Sequence, residues 1–447
     1  MKRLILCFDG TWNAIGDPKT CTNVVKIANT VSLRDPEGID QVCYYNSGVG
    51  SGGPLDRFLG GAFGVGLKAN VKRGLAFLAL NYQTDDEIYL FGFSRGAYTA
   101  RAVAGVLGVA GIPLDISQAE VHWDHYRRIA KLQAAQRNLR EGSPKRDVLE
   151  KEIGDLRDKL KEYTNYQPEE INIACVGVFD TVGAYGVPSG IGLGAIPHYF
   201  TYWTRGFSSR KIGQRIKVAL HAMAIDERRR PFMPTFWTLR QQEKLIDAQR
   251  VEQVWFPGSH SNIGGGYDNC GLSDLALAWM ISQVKEKTKL AFDEDELYKT
   301  IWPCPAGTLY RSSGRGPFST ARSVLPKVSD SLAAQAWRAI RNWLAGKERK
   351  LGLRVNEQVH WSVRDRLGYE NTWVDGQGAC KYAPRNLRKI EKYSDPSELE
   401  VGLADPSRPG RKDEKRCPFH NAGLPCECEA HWQREAKGKP QQSSMAA

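Results

Sequence analysis

The sequence predicts a three-layer α/β sandwich, in which helices cover both faces of a mostly parallel central sheet, with a helical insertion and a C-terminal tail. Strand-like and helix-like hydrophobic patterns alternate from residue 1 to about residue 290, as they do in α/β proteins. With 41% hydrophobic and 25% charged residues, the composition is typical of a globular protein. The 447 residues are many for one domain and few for three, so we expect one large core with additions.

Six elements are predicted before residue 110, from hydrophobic periodicity and from helix-capping residues. The three strands are at 4–8, 41–45 and 87–91. They alternate with three helices: one begins at Thr22-Asn23, and the others occupy 70–80 and 97–107.

An insertion follows at 116–165. It is densely charged and helical in composition, with a break at 142–144, so we expect a helical hairpin. Such charge usually marks a solvated face. A lid or a docking arm is the alternative, because the insertion lies between the helix at 97–107 and the next predicted strand.

The alternation then resumes. Apolar runs predict strands at 171–179 and 251–256, whereas the run at 216–224 is too short to distinguish a strand from a helix. Ser273-Asp274 is expected to cap a helix. Residues 391–447 lose this periodicity and gain Pro, Gly, Lys and Glu, which indicates a poorly ordered tail.

The motif with the clearest chemistry is Gly92-Phe93-Ser94-Arg95-Gly96, a G-x-S-x-G sequence between a predicted strand and a predicted helix. A serine on so tight a turn needs flanking glycines, and the turn exposes its hydroxyl above the sheet edge. A glycine-rich turn with an incidental serine is the alternative. The strand and helix on either side favour a nucleophile.

A serine nucleophile needs a base and an acid that orients the base. In α/β-hydrolases these follow in the order Ser, Asp or Glu, His, each after a strand. Ser94, Asp180 and His260 occur in this order, each in a glycine-rich turn. Asp226 is the alternative acid, although the arginines beside it favour a structural ion pair.

The other histidines are less well placed. His360 is the reserve candidate for the base, and His221 is expected to be a core residue. For the oxyanion hole, the Arg95 amide is the expected first donor, and the Gly10-Thr11 turn is the candidate for the second. A plain β-turn is the alternative for Gly10-Thr11.

Several segments together resemble the type VI secretion phospholipase effectors, a Tle-like family with an α/β-hydrolase catalytic domain. The matching segments are Phe8-Asp9-Gly10-Thr11-Trp12-Asn13, Thr22-Asn23-Val24-Val25, Tyr45-Asn46-Ser47-Gly48-Val49-Gly50, 91–101, Phe179-Asp180-Thr181-Val182-Gly183, 224–228, 254–260, 264–267, 359–363 and 382–387. They span residues 1–390, in order, so this range is the expected catalytic domain.

The resemblance implies a Ser-Asp-His triad on Ser94, Asp180 and His260, and hydrolysis of phospholipid acyl esters of the phospholipase A type, often after delivery into a rival cell. It also implies secretion-spike and immunity proteins as partners. One departure is Asn262, where the family usually has Asp. The chemistry needs no metal or organic cofactor. A non-catalytic sensor with this fold, or an esterase acting on small soluble esters, is the alternative.

The tail contains a dense Cys/His cluster. Its members are Cys417, His420, Cys426, Cys428 and His431. Thiolates and imidazoles in this number can hold Zn²⁺, but the spacing matches no standard finger. Unliganded, reduced cysteines are therefore the expected state.

The charge and hydrophobicity of the chain indicate which surfaces it can bind. The formal charge of +12 is spread along the chain without a nucleic-acid motif, so we expect no nucleic-acid partner. The apolar run at 4–8 is too short for a signal peptide, so synthesis in the cytoplasm and export without a signal peptide are expected. Residues 331–344 predict an amphipathic helix with Trp337 and Trp343, expected near Ser94 and a lipid surface.

Overall fold

The structure is a computed structural model that describes residues 1–10, 21–48, 61–136, 139–182, 213, 215–227, 232, 234–239 and 249–310, and parts of 353–382. The predicted amphipathic helix at 331–344 and the tail at 391–447, with its Cys/His cluster, lie outside the described residues.

A seven-stranded sheet forms the centre of the molecule, and all of its neighbouring strands are parallel. The strands are β1 (Arg3–Phe8), β2 (Gln41–Asn46), β3 (Glu87–Phe93), β4 (Asn172–Phe179), β5 (Ile216–Ala224), β6 (Arg250–Phe256) and β7 (Glu357–Val359). Their spatial order is β7-β6-β5-β4-β3-β1-β2. The ambiguous run at 216–224 is a strand, because β4 and β6 pair with it on both sides.

Eight described helices accompany the sheet. They are α1 (Asn23–Thr30), α2 (Gly61–Asn81), α3 (Arg95–Ala110), α4 (Ala119–Gln136), α5 (Pro144–Lys161), α6 (His260–Gly264), α7 (Gly271–Lys287) and α8 (Glu294–Thr300). None of them is long and apolar enough to cross a bilayer.

Two hydrophobic cores cover the two faces of the sheet. In β1, Ile5 and Cys7 face the core formed with α1, α7 and α8, whereas Leu4, Leu6 and Phe8 face the core formed with α2 to α5. Successive side chains of a strand point to opposite faces, and burial of both faces explains why the strands are nearly continuous apolar runs. The predicted α/β sandwich with a mostly parallel sheet is confirmed.

The predicted insertion contains α4 and α5, which pack against each other. The packing face of α4 includes Trp123 and Tyr126, both buried. The Tyr126 hydroxyl lies where a side chain on Gly105 would be, and Gly105 is about 16 Å along α3 from Ser94. These contacts therefore place α4 against the middle of α3, away from the Ser94 end.

The start of α7 differs from the sequence prediction. The helix begins at Gly271, so Ser273 and Asp274 lie inside its first turn and do not precede it. Asp274 instead accepts a hydrogen bond from Lys26 Nζ at 2.7 Å and one from the Trp302 amide at 2.8 Å. The carboxylate thus joins α7 to α1, a contact that local sequence does not reveal.

Candidate active site

Ser94 forms a strained turn between β3 and α3. Its backbone has φ 58° and ψ −118°, a conformation that is unfavourable for a residue with a side chain. A Cβ on Gly96 would lie 2.0 Å from the Phe8 carbonyl oxygen, and one on Gly92 would lie 2.5 Å from the Gly96 carbonyl oxygen. The two glycines are therefore required by backbone packing around the serine.

Ser94, His260 and Asp180 are connected by hydrogen bonds. Ser94 Oγ lies 2.8 Å from His260 Nε2, and His260 Nδ1 lies 2.6 Å from Asp180 Oδ2. The three residues follow β3, β6 and β4, whose carboxyl ends share one edge of the parallel sheet. All three are buried. The imidazole lies between the rings of Phe93 and Phe232, at centroid distances of 4.8 and 5.0 Å.

Both carboxylate oxygens of Asp180 have a hydrogen-bond partner. Oδ2 faces His260, and Oδ1 accepts a hydrogen bond from the Ala224 amide at 3.1 Å. Burial raises the pKa of this carboxyl above its usual value; the contacts with His260 and Ala224 oppose the increase, and the nearby Glu227 adds to it. Asp180 also has a positive φ of 38°, so the loop after β4 is strained like that of Ser94.

The alternative acid, Asp226, does not contact the imidazole in this arrangement; Asp180 occupies the Nδ1 side. Asp226 Oδ2 accepts hydrogen bonds from the Gly258 amide at 2.9 Å and from the Tyr382 hydroxyl at 2.8 Å. Its neighbour Glu227 accepts from the backbone amide of His260 at 3.3 Å. These adjacent carboxylates therefore hold the turn before His260 from two directions.

Asn262, the departure from the family pattern, has a structural role. Its side-chain oxygen accepts from the backbone amides of Ser259 and Tyr310, at 3.3 and 3.1 Å. Its side-chain nitrogen donates to the Thr308 carbonyl at 3.1 Å. The neutral amide both donates and accepts here, so no negative charge is needed at this position.

The other described histidines lie in different surroundings. His221 is buried on β5, and its Nε2 accepts a hydrogen bond from the Thr181 amide at 3.1 Å, as expected for a core residue. His360, the reserve candidate, stacks on Phe256 with ring centroids 4.3 Å apart and pairs with Ser362 Oγ at 2.7 Å.

The two candidate oxyanion donors differ in their hydrogen bonds. Arg95 is the first residue of α3, where backbone amides lack acceptors within the helix; burial lowers the pKa of its side chain to about 10. Gly10 lies beside the Ser94 turn, but its amide donates to Asp9 Oδ1 at 2.6 Å. The Gly10 amide must leave Asp9 before it can donate to an oxyanion.

Several buried polar residues near the site were not singled out from the sequence. They are Asp9, Thr22 and Glu227, together with the half-buried Tyr45. Asp9 and Glu227 belong to family-like segments, but no sequence pattern shows that their carboxylates are buried. Among the described residues, no group of three or more His, Cys, Asp or Glu side chains is arranged to hold a metal ion.

Comparisons with known proteins identify the family of the chain. A family model described as the T6SS phospholipase effector Tle1-like catalytic domain matches residues 2–283. An uncharacterized protein of Saccharomyces cerevisiae is 35% identical over 125 residues, which cover 25% of this chain and 18% of that protein.

Two solved structures are also similar, each with 18% sequence identity. One is an uncharacterized protein from Pseudomonas aeruginosa, with a TM-score of 0.35 over 66% of this chain and 47% of that chain. The other is a Tle1 effector bound to the VgrG spike of a type 6 secretion system, with a TM-score of 0.29 over 60% of this chain and 51% of that chain. The chain thus spans about half the length of these two proteins, and less of the yeast one. Because the family model matches more than half of the sequence, the chain belongs to the family of type VI secretion phospholipase effectors with a Tle1-like catalytic domain.

Proposed function

We propose that the protein is a serine hydrolase that cleaves acyl ester bonds of phospholipids, of the phospholipase A type. The observation that carries the proposal is the hydrogen-bonded series Ser94–His260–Asp180, with distances of 2.8 and 2.6 Å. Membership of a phospholipase effector family supports a lipid as the substrate. The geometry of the site supports the reaction class, and the family supports a lipid as the substrate.

In the proposed reaction, Ser94 Oγ attacks the acyl carbonyl carbon while His260 Nε2 takes the hydroxyl proton. Asp180 accepts a hydrogen bond from the Nδ1–H group of His260, which keeps the imidazole in the tautomer that can act as a base. The protonated imidazole then donates to the leaving alkoxide, which departs as a lysophospholipid and leaves an acyl-serine. Water, deprotonated by His260, releases the fatty acid and restores Ser94.

The tetrahedral intermediate needs donors directed at its oxyanion. The Arg95 amide is the proposed first donor, and the positive end of the α3 dipole favours negative charge at the same place. The Gly10 amide is the proposed second donor, and it would have to exchange Asp9 Oδ1 for the oxyanion.

The family also suggests where the protein acts. Type VI effectors are delivered by a secretion apparatus, so we propose that this chain is exported without a signal peptide to attack a target membrane. A secretion spike, such as the VgrG protein in the Tle1 structure, and a protective immunity protein are the proposed partners.

The test uses purified full-length protein on phosphatidylcholine–phosphatidylglycerol vesicles and on a short-chain p-nitrophenyl ester. Ser94→Ala is the matched variant, because it removes only the attacking oxygen. We expect fatty-acid release from vesicles by the wild type and a loss of at least about 10³-fold in the variant. Equal release by both would rule out Ser94 as the nucleophile.

The same experiment separates the alternatives. Hydrolysis of the short ester without release from vesicles would identify an esterase for soluble substrates. If a fluorophosphonate probe gives no adduct on Ser94 and neither ester is cleaved, the protein is a non-catalytic binding module with this fold.

A further inference from the structure

Asp9 lies directly after β1, and its side chain is almost completely buried. Among the described residues, its carboxylate accepts hydrogen bonds from three uncharged groups. The Gly10 amide donates to Oδ1 at 2.6 Å, and Oδ2 accepts from Thr22 Oγ1 at 2.6 Å and from the Tyr45 hydroxyl at 2.8 Å. A buried carboxylate is tolerated only when it is well hydrogen-bonded, so these donors and the carboxylate hold one another in place.

The Asp9–Gly10 peptide packs directly against the Ser94 turn. A Cβ on Gly10 would lie 3.5 Å from Ser94 Cβ and 3.3 Å from the Phe93 ring. A Cβ on Gly96 would lie 2.6 Å from the Asp9 carbonyl oxygen. The backbone that Asp9 orders thus packs directly against the turn that carries the serine.

The same carboxylate is connected to the His260 side of the site through Thr22. Thr22 caps α1, because its Oγ1 also accepts from the Val25 amide at 3.2 Å, and its backbone forms a β-bridge with Gly265. Gly265 directly follows α6, the short helix that His260 begins. A second link runs from Asn23 Nδ2 to the Ile263 carbonyl at 2.8 Å.

We propose that Asp9 is a positioning residue of the catalytic site, which before the oxyanion forms holds the Gly10 peptide against Ser94 and, through Thr22, holds the helix that carries His260. This inference rests on the proposed hydrolase function. The carboxylate is the common acceptor for groups from β2, from the start of α1 and from the peptide beside Ser94. Its removal leaves Gly10, Thr22 and Tyr45 without this acceptor and loosens the backbone on both sides of the Ser94–His260 contact. A displacement of about 1 Å in such a contact costs on the order of 100-fold in rate.

The test compares Asp9→Ala, Asp9→Asn and a control, Asp35→Ala. Asp35 is also buried and accepts from Arg3 and from the amides of Glu37 and Ile39, beside the beginning of β1 and far from Ser94. For Asp9→Ala we expect kcat on a soluble ester to fall about 100-fold with little change in KM. Asp9→Asn should retain more activity, because its oxygen can accept from Gly10 while its amide donates to hydroxyls that can rotate. Asp35→Ala should lower the melting temperature without lowering kcat.

Hydrogen–deuterium exchange by mass spectrometry provides a readout that does not need activity. In Asp9→Ala, peptides covering residues 4–10 and 260–266 should exchange faster than in the wild type, and they should not in Asp35→Ala. A wild-type kcat, or wild-type exchange in both peptides, in Asp9→Ala would overturn the proposal. So would an equal loss of kcat in Asp35→Ala, because that result indicates general destabilisation. If the wild type cleaves no ester at all, the proposed function fails, and the exchange measurement alone decides the role of Asp9.

Discussion

Replacement of Asp180 by Asn tests the arrangement around His260, because the structure determines how the new amide would be oriented. Oδ1 of Asp180 accepts from the Ala224 amide at 3.1 Å, and Oδ2 faces His260 Nδ1 at 2.6 Å. In Asp180→Asn, the side-chain oxygen can satisfy only one of these two donors. With the oxygen toward Ala224, the NH₂ group points at Nδ1, and His260 must carry its proton on Nε2. That tautomer cannot accept the proton of Ser94.

The opposite orientation keeps the correct tautomer but places the NH₂ group against the Ala224 amide. Two donors then face each other in a buried site, which costs about 1–3 kcal/mol, or roughly 5- to 150-fold in the population of the competent orientation. Loss of the negative charge beside the developing imidazolium adds to this. The corresponding substitution in a serine protease lowers kcat by about 10⁴-fold, equivalent to about 5.4 kcal/mol, and we expect roughly 10³- to 10⁴-fold here.

The assay measures kcat on a short-chain ester together with the rate of fluorophosphonate labelling of Ser94. Asp226→Asn is the matched control: the chemical change is identical, and Asp226 contacts Gly258 and Tyr382 rather than the imidazole. We expect it to lose less than about tenfold in kcat, consistent with a slightly displaced turn. A loss of less than tenfold in Asp180→Asn, or equal losses in both variants, would refute this reasoning.

Asp180→Asn also has an expected effect on stability. Burial raises the pKa of Asp180 in the folded protein, so the folded state binds this proton more tightly than the unfolded state does. The carboxyl therefore contributes less stability as pH rises through the raised pKa. Asp180→Asn should melt no lower than the wild type at pH 7, and any gain should shrink toward acidic pH. A marked drop in its melting temperature at pH 7 would show that the hydrogen bonds of the carboxylate outweigh its desolvation.

Three further predictions concern other described residues. Gly96→Ala should unfold the Ser94 turn or lower the free energy of unfolding by about 3 kcal/mol or more, because its Cβ would lie 2.0 Å from the carbonyl oxygen of Phe8. A melting temperature within about 2 °C of the wild-type value would contradict this packing. Burial lowers the pKa of His122 to about 4 from 6.5, so the unfolded state takes up this proton at a higher pH than the folded state does. The free energy of unfolding is therefore unaffected by this group above pH 6.5 and falls by about 3 kcal/mol as pH decreases to 4. Denaturant titrations should show a flatter pH dependence in His122→Asn, and an unchanged slope would exclude His122 as the cause. The hydrogen bond from Cys7 lowers the pKa of the exposed Cys43 thiol, so iodoacetamide should modify Cys43 well before the buried Cys7, as peptide mass spectrometry would reveal.

The local sequence was informative about structural features that depend only on residues close together in the chain. Glycines at 92 and 96 flank Ser94 because the turn leaves no space for side chains, and such a requirement is visible in five consecutive residues. The alternation of strand-like and helix-like segments predicted the α/β sandwich, because strands buried on both faces must be apolar throughout. It failed for 216–224, whose length suits either a strand or a helix; pairing with β4 and β6 decided for a strand.

Other features depend on residues that are distant in sequence. Asp180 and Asp226 each follow a parallel strand, so chain order alone left the partner of His260 open; the directions of the two loops place Asp180 on Nδ1 and turn Asp226 toward Gly258. The carboxylate of Asp9 acquires its place only when β1, β2 and the start of α1 meet around it. The sequence by itself thus determined that Ser94 lies on a glycine-flanked turn between a strand and a helix, and what kind of sheet carries that turn. Only the tertiary structure decided which buried carboxylate faces His260 and which ones hold the surrounding turns, because burial and hydrogen-bond direction arise from contacts between segments far apart in the chain.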